Sequence, residues 1–261
     1  MITAASNSRI KRLVQLNQKS KLRRTEDVFL AEGVKMFLEA PREQLQEVYV
    51  SESFLEKCSC REHLEEVGYE VVSDSVFSKI SDTCTPQGVL CVLKQFHYNI
   101  EEMLRDKAPL FLLLENIQDP GNLGTILRTG EGAGVSGIIM SRDTVDLYNP
   151  KVIRSTMGSI YRVPFYYADD FAAAVHQVQQ AGVSVYAAHL RGKNSYACQD
   201  YTKGTAFLIG NEGNGLREET AELADCYIRI PMEGKVESLN AAVASSILMY
   251  EAHRQRATIE K

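Results

Sequence analysis

The sequence predicts an α/β protein of two domains, the second built on a parallel sheet. Three observations lead there. Apolar runs of strand length alternate with helix-length amphipathic segments along most of the chain. The run Leu110–Leu114 is wholly apolar, as expected of a strand covered on both faces. A polar, charged stretch at 94–108 separates two such alternating regions, which places a linker at 96–108 between domains at 1–95 and 109–261. A chain of 261 residues accommodates two domains of ordinary size.

The first domain reads as a compact α/β unit. Residues 6–16 form a helix with Ile10, Leu13, Val14 and Leu16 as its apolar positions, 28–31 a strand and 33–40 a helix. Strands follow at 47–50, 69–72 and 89–93, with a helix at 60–67. In the second domain, strands are expected at 110–114, 137–140, 161–166, 183–187, 205–209 and 227–230. Helices are expected at 123–132, 150–157, 170–180, 217–224 and 239–254. The last carries Leu239, Val243, Ile247 and Tyr250 at near-helical spacing.

Bulk properties narrow the function. No apolar run approaches the ~20 residues of a membrane span, and residues 2–13 are polar and basic rather than a signal peptide, so a cytoplasmic location is expected. The cysteines at 58, 60, 84, 91, 198 and 226 form no CxxC pair, so reduced thiols and no metal are expected. The net charge is −5, yet residues 1–24 hold Arg9, Lys11, Arg12, Lys19, Lys21, Arg23 and Arg24 and no acidic residue. Such a basic arm on an acidic chain is either a solvated helix face or a surface that contacts nucleic-acid phosphates.

One glycine pattern misleads. Gly132-Ala-Gly-Val-Ser-Gly137 matches the dinucleotide fingerprint GxGxxG, but that site needs a strand before it and a helix after it. Here the order is reversed, and the glycines read as a helix stop.

Three polar segments follow apolar strands, where open parallel sheets bind ligands. They are Asn116-Ile-Gln-Asp-Pro-Gly-Asn-Leu-Gly-Thr-Ile-Leu-Arg128, Leu208-Ile-Gly-Asn-Glu-Gly-Asn-Gly215 and Ile230-Pro-Met-Glu-Gly-Lys-Val-Glu-Ser-Leu-Asn240. Singly, each reads as a helix cap or a tight turn: Asn122 and Ser238 as N-caps, Glu212 as a favourable charge at a helix start. In this order and spacing they resemble the three motifs of the SpoU (TrmH-like) family of SPOUT methyltransferases, over roughly 110–254. Asn149, Arg154 and Ser155-Thr-Met-Gly-Ser159 resemble the family's connection between motifs. Ser6-Asn7-Ser8-Arg9-Ile10-Lys11 and Phe29-Leu-Ala-Glu-Gly33 are similar to the substrate-binding domain, of L30e-like fold, that often precedes the catalytic one.

The resemblance implies a parallel-sheet SPOUT domain with a deep trefoil knot. It implies an enzyme that transfers a methyl group from S-adenosylmethionine to a ribose 2′-hydroxyl of RNA, and works as a homodimer. Cofactor contacts are implied for Gly210, Ile230, Leu239, Met232, Leu208 and Ile209. Arg128 is implied as the catalytic residue, with Asn122, Glu212, Ser238 and Asn240 around it. The family's proposal makes Arg128 a general base. Because a guanidinium is not ordinarily deprotonated, the alternative is that it grips a phosphate and stabilises the developing alkoxide, with Glu212 as the other candidate proton acceptor. The N-terminal domain favours ribosomal RNA, 23S rRNA in particular, over transfer RNA, and gives the basic arm an RNA-binding role. The competing readings are a non-catalytic RNA-binding ribosome-assembly factor and a small-molecule methyltransferase. The intact motif set opposes the first, and the extra domain with its basic arm the second.

Overall fold

A computed structural model describes residues 1–236 and 238–258; Glu237, inside the third polar segment, and the last three positions of the 109–261 domain lie outside that range. The chain divides into two compact units, one of residues 1–96 with 146–161, the other of 97–145 with 162 onward.

The first unit runs α1 (Ser8–Gln18), α2 (Ser20–Glu26), β1 (Val28–Glu32), α3 (Val34–Leu38), β2 (Leu45–Ser51), α4 (Glu52–Lys57), α5 (Arg61–Val67), β3 (Glu70–Val72), α6 (Asp74–Ile80) and β4 (Val89–Lys94). Its sheet has the order β1-β4-β2-β3, with β4 antiparallel to both neighbours and β3 parallel to β2. Asn7 caps α1, its side-chain oxygen accepting from the Arg9 N–H at 2.9 Å. The apolar stripe of α1, Ile10, Leu13 and Leu16, packs with Val76, Phe77 and Ile80 of α6 in one cluster with Leu30, Tyr49 and Leu90 of the sheet. Helices at 20–26, 52–57 and 74–80 have no counterpart in the sequence reading. At the last of these, the spacing of Val76, Phe77 and Ile80 carries the signal.

Residues 146–161, expected in the second domain from the position of the linker, belong in the structure to the first unit. Arg23 donates to Asp146 at 2.5 Å, and the Tyr148 hydroxyl accepts from the Phe96 N–H at 2.6 Å while its ring lies 4.8 Å from that of Phe29. Arg154 donates to the Asp82 carboxylate at 3.1 Å, and the Tyr161 hydroxyl donates to the Met36 carbonyl at 3.0 Å. Buried aromatic rings with satisfied hydroxyls hold such a segment well.

The remaining elements are α7 (Ile100–Met103), β5 (Leu110–Leu114), α8 (Pro120–Ala133), β6 (Gly137–Ser141), α9 (Pro150–Thr156, in the first unit), β7 (Phe165–Ala168), α10 (Phe171–Gln180), β8 (Ser184–Ala188), β9 (Asn194–Ser195), β10 (Thr205–Ile209), α11 (Glu218–Ala221), β11 (Cys226–Arg229) and α12 (Ala241–Ala257). The second unit's sheet has the order β7-β6-β5-β10-β8-β11-β9, and every pairing is parallel. The stretch read as a linker contains α7, whose Ile100 and Met103 join the core of this unit.

Three boundaries move for identifiable reasons. The strand expected at 161–166 begins only at Phe165, because Pro164 has no N–H for the ladder. The helix expected from 123 starts at Pro120, with Asp119 as its cap accepting from the Asn122 N–H at 2.8 Å; Pro at the first helical position is pre-set for helical φ. That helix ends at Gly134, whose φ of 75° is left-handed, so the apparent fingerprint is a helix stop. In α12 the inward face is made of Ala241, Ala242, Ser245, Leu248, Met249 and Ala252. Val243 and Tyr250, part of the stripe that the sequence suggests for the core, are instead exposed. No described helix is long and apolar enough to cross a membrane.

Candidate active site

The strand order brings the carboxyl ends of β5, β10, β8 and β11 side by side, and each is followed by a loop. After β10 the chain makes a tight turn at Gly210. A Cβ there would lie 2.2 Å from the Gly215 carbonyl carbon and from the Leu216 nitrogen, so no other residue fits without moving backbone. Asn211 and Gly215 close the turn with mutual backbone hydrogen bonds of 3.0 and 2.9 Å. The Asn211 side-chain oxygen accepts from the Gly213 and Asn214 N–H groups, and its amide donates to the Asn116 carbonyl at 2.8 Å, tying the β10 loop to the β5 loop. Buried Glu115 secures the far end: it accepts from the Arg217 N–H at 2.8 Å and from the Thr220 hydroxyl at 2.5 Å.

Glu212 joins all three polar segments. One of its oxygens accepts from the Asn122 amide at 2.9 Å and the Asp119 N–H at 3.0 Å; the other accepts from the Gln118 N–H at 3.1 Å. Because Glu212 needs a donor, Asn122 must turn its nitrogen that way and its oxygen the other. That oxygen accepts from the Asn240 amide at 2.8 Å. Asn240 in turn caps α12, accepting from the Ala242 N–H at 2.9 Å and the Val243 N–H at 3.3 Å. Partial burial pushes the Glu212 carboxyl up, but the bonds from Asn122, Asp119 and Gln118 outweigh it and hold the group below its ordinary value. A carboxylate so held favours the folded state above its unfolded pKa, and that contribution disappears as pH falls through the folded one. With three donors on its oxygens, Glu212 is suited to joining loops and poorly suited to receiving a proton at neutral pH.

Beside this junction lies a cavity of about 280 Å³, close to the lower end of the ~300–1,000 Å³ usual for small-molecule sites. Of the residues implied for the cofactor, Ile209, Gly210, Ile230, Met232 and Leu239 line it, together with Glu212 and Ser238. Leu208 does not: it is fully buried in the hydrophobic core, on the alternate face of β10. Because Asn240 caps α12, Ser238 and Leu239 remain in the loop and reach the cavity. The sequence reading missed Ala188 at the end of β8 and His189 and Leu190 after it, which also line the cavity. Their signal was the rule of strand carboxyl ends, usable only once β8 is known to lie between β10 and β11. Apolar walls of Ile209, Ile230 and Leu239 against bare backbone at Gly210 fit S-adenosylmethionine, which offers a flat ring and polar edges. Arg128 stands apart, exposed on α8, neither lining the cavity nor bonded to any described residue.

The basic arm divides. Arg23 is 3% exposed and donates to the Leu16 carbonyl at 2.6 Å as well as to Asp146, so it is a structural residue and not an RNA contact. Arg12 is ion-paired with Glu26 and Glu47, both at 2.7 Å, and Arg9 pairs with Glu70 at 3.0 Å. These acids lie outside residues 1–24, and folding brings them back onto the helix. Lys11, Lys19, Lys21 and Arg24 are exposed and bonded to no described residue.

Residues 109–250 match the SpoU rRNA Methylase family, and residues 7–91 match the MRM3-like substrate binding domain. Among curated relatives, the chain is 32% identical over 252 residues to the 23S rRNA (guanosine(2553)-2′-O)-methyltransferase RlmP of Bacillus subtilis, covering 95% of this chain and 97% of that one. It is similar to the crystal structure of an AdoMet-bound rRNA methyltransferase from Sinorhizobium meliloti, with a TM-score of 0.84, 32% identity and 97% of each chain covered. It is also similar to the SpoU methyltransferase AviRb of Streptomyces viridochromogenes in complex with AdoMet, with a TM-score of 0.87, 27% identity, and 97% of this chain and 99% of that one covered. A family match over more than half the chain, with relatives that span nearly all of it, shows that the chain belongs to the SpoU rRNA methylase family and is an S-adenosylmethionine-dependent RNA methyltransferase.

Proposed function

We propose that the protein methylates a ribose 2′-hydroxyl of 23S ribosomal RNA, acting in the cytoplasm as a homodimer. The observation that carries this reading is the Glu212–Asn122–Asn240 chain of hydrogen bonds, which gathers three motif loops beside the Gly210 cavity. The RlmP relative, similar along nearly the whole chain, is named for that reaction on that RNA.

S-adenosylmethionine supplies, when bound, a methyl group on a sulfonium. The residues that would hold it are Gly210, through backbone that a side chain would displace, and Ile209, Ile230, Met232 and Leu239, which exclude water. Knotting of the C-terminal segment, as the family implies, would keep these loops together. The 2′-oxygen must form its bond to the methyl carbon as the carbon–sulfur bond breaks, the electron pair staying on sulfur to leave a neutral thioether, and as the hydroxyl proton leaves. Glu212 is already held ionised by three donors, so we assign the proton to water and the charge developing on the oxygen to the Arg128 guanidinium, whose exposure leaves it free for RNA. Ser238, which lines the cavity, would position the acceptor ribose.

Incubation with labelled S-adenosylmethionine and 23S rRNA should yield label in an alkali-resistant dinucleotide, the mark of a 2′-O-methyl group. Arg128→Ala should lower turnover by about 10²–10³ with cofactor affinity unchanged, a loss typical of removing one transition-state donor. Arg128→Lys should fail as well, lacking the planar fork. Label on a base, or near-normal turnover in the lysine variant, would contradict the reading.

Recognition falls to the first unit, through Lys11, Lys19, Lys21 and Arg24. Replacing these four by Gln should weaken RNA binding and flatten its log–log salt dependence by about 0.7–0.9 for each phosphate that is no longer neutralised, with S-adenosylmethionine affinity intact. Arg23→Gln should instead lower stability, by about 3 kcal/mol, since it breaks a buried charged network. An unchanged salt slope in the fourfold variant would leave the arm a solvated face.

The exposed Val243 and Tyr250, seven residues apart on α12 with Ile247 between them, form an apolar stripe suited to a second copy. Tyr250→Glu should sediment as a folded monomer; an unchanged dimer would place the interface elsewhere.

A further inference from the structure

The turn after β8 forms a wall of the cavity that belongs to none of the three motif segments. It is fixed at both ends. The His189 N–H donates to the Ile228 carbonyl of β11 at 3.0 Å, and the Gly192 N–H closes the turn on the His189 carbonyl at 2.9 Å. A Cβ at Gly192 would lie 2.7 Å from the Ile228 carbonyl carbon, so the turn can press against β11 only with glycine there. The His189 ring packs on Tyr227, with centroids 5.1 Å apart at 37°. Its Nδ1 accepts from the Arg191 N–H at 3.1 Å. A backbone N–H can only donate, so Nδ1 must be the unprotonated nitrogen, and the proton of the neutral ring sits on Nε2. No described residue takes up Nε2, and His189 lines the cavity.

We infer that His189 is a cofactor-binding residue, held by its turn as the neutral Nε2–H tautomer so that it donates a hydrogen bond to S-adenosylmethionine. This rests on the cofactor reading above and adds a residue and a protonation state to it. A doubly protonated ring would lose the Arg191 bond and place a second cation beside a sulfonium. The surroundings lean the same way: burial and the Arg191 charge lower the His189 pKa from its ordinary value near 6.5, and Glu218 opposes them only in part, being ion-paired with Arg191. The other charged or titratable groups on elements around the ring include Lys193 of the same turn, Glu219 of α11, Cys226, Tyr227 and Arg229 of β11, and Glu212 of the glycine loop, the last engaged by its three donors. Binding therefore favours the unprotonated ring. Affinity should be full above the free-state pKa of His189 and fall as pH drops through it, by at most tenfold per unit for a single proton.

Two measurements on the full chain test this. Nitrogen chemical shifts of the imidazoles, with the His189 signals identified by their loss in His189→Gln, should show Nε2–H in the free protein at pH 7.5; an Nδ1–H tautomer overturns the inference without reference to any ligand. Calorimetry with S-adenosylmethionine from pH 7.5 to 5 should show wild-type affinity falling below pH 6.5. His189→Gln, which keeps a donor but cannot titrate, should bind within about threefold of wild type at pH 7.5 and show a flat profile. His189→Leu should bind about tenfold more weakly at pH 7.5. Flat wild-type affinity, or the same pH slope in His189→Gln, overturns the inference while the cofactor reading stands; no wild-type binding at pH 7.5 overturns both.

Discussion

A single carboxylate holds the loops of the candidate site together. Glu212 accepts from a side chain and two backbone N–H groups of the segment that starts α8, and through Asn122 it reaches the cap of α12. The Gln118 and Asp119 N–H groups at the exposed start of α8 find in Glu212 an acceptor that water would otherwise supply. The meeting of the three segments at one ionised group makes the loops interdependent. The same bonds that fix the geometry keep the carboxylate ionised, so its structural role and its unsuitability as a base have one physical cause.

Around that junction, small residues do what larger ones could not. Gly210 lets the chain fold back on Gly215 and Leu216, and Gly192 lets the β8 turn reach β11. The cavity is thus framed by backbone at its tightest points and by Ile209, Ile230 and Leu239 elsewhere. A cavity of this kind favours binding by shape and by main-chain hydrogen bonds, with Glu212 and Arg229 as the charged residues of its lining. Arg128 remains outside it, exposed on α8, as the proposed division between holding the cofactor and acting on the RNA requires.

Much of this was legible in the sequence, and the exceptions share a reason. The parallel sheet followed from apolar runs such as Leu110–Leu114, and the site from polar segments at strand ends. What could not be read was any property set by pairing across the fold. Arg23 and Lys21 look alike in a basic arm; only folding brings Asp146 to one of them. Leu208 and Ile209 are neighbours in a motif, but strand alternation sends one to the core and the other to the cavity. The stripe of Val243, Ile247 and Tyr250 has the period of a buried face, yet α12 buries Ala241, Ala242, Ser245, Leu248, Met249 and Ala252 instead. His189 lines the cavity because β8 lies between β10 and β11, an order that sequence position does not reveal.

Calorimetry of S-adenosylmethionine binding to Glu212→Gln tests the loop-joining role most directly. Glutamine presents one accepting oxygen and a donor where two accepting oxygens are needed, so the Gln118 or Asp119 N–H must lose its partner and the loops beside Gly210 must part. Binding weakened by tenfold or more is expected, with turnover lost as a consequence. Full cofactor affinity combined with lost turnover would contradict this role and return Glu212 to the position of proton acceptor.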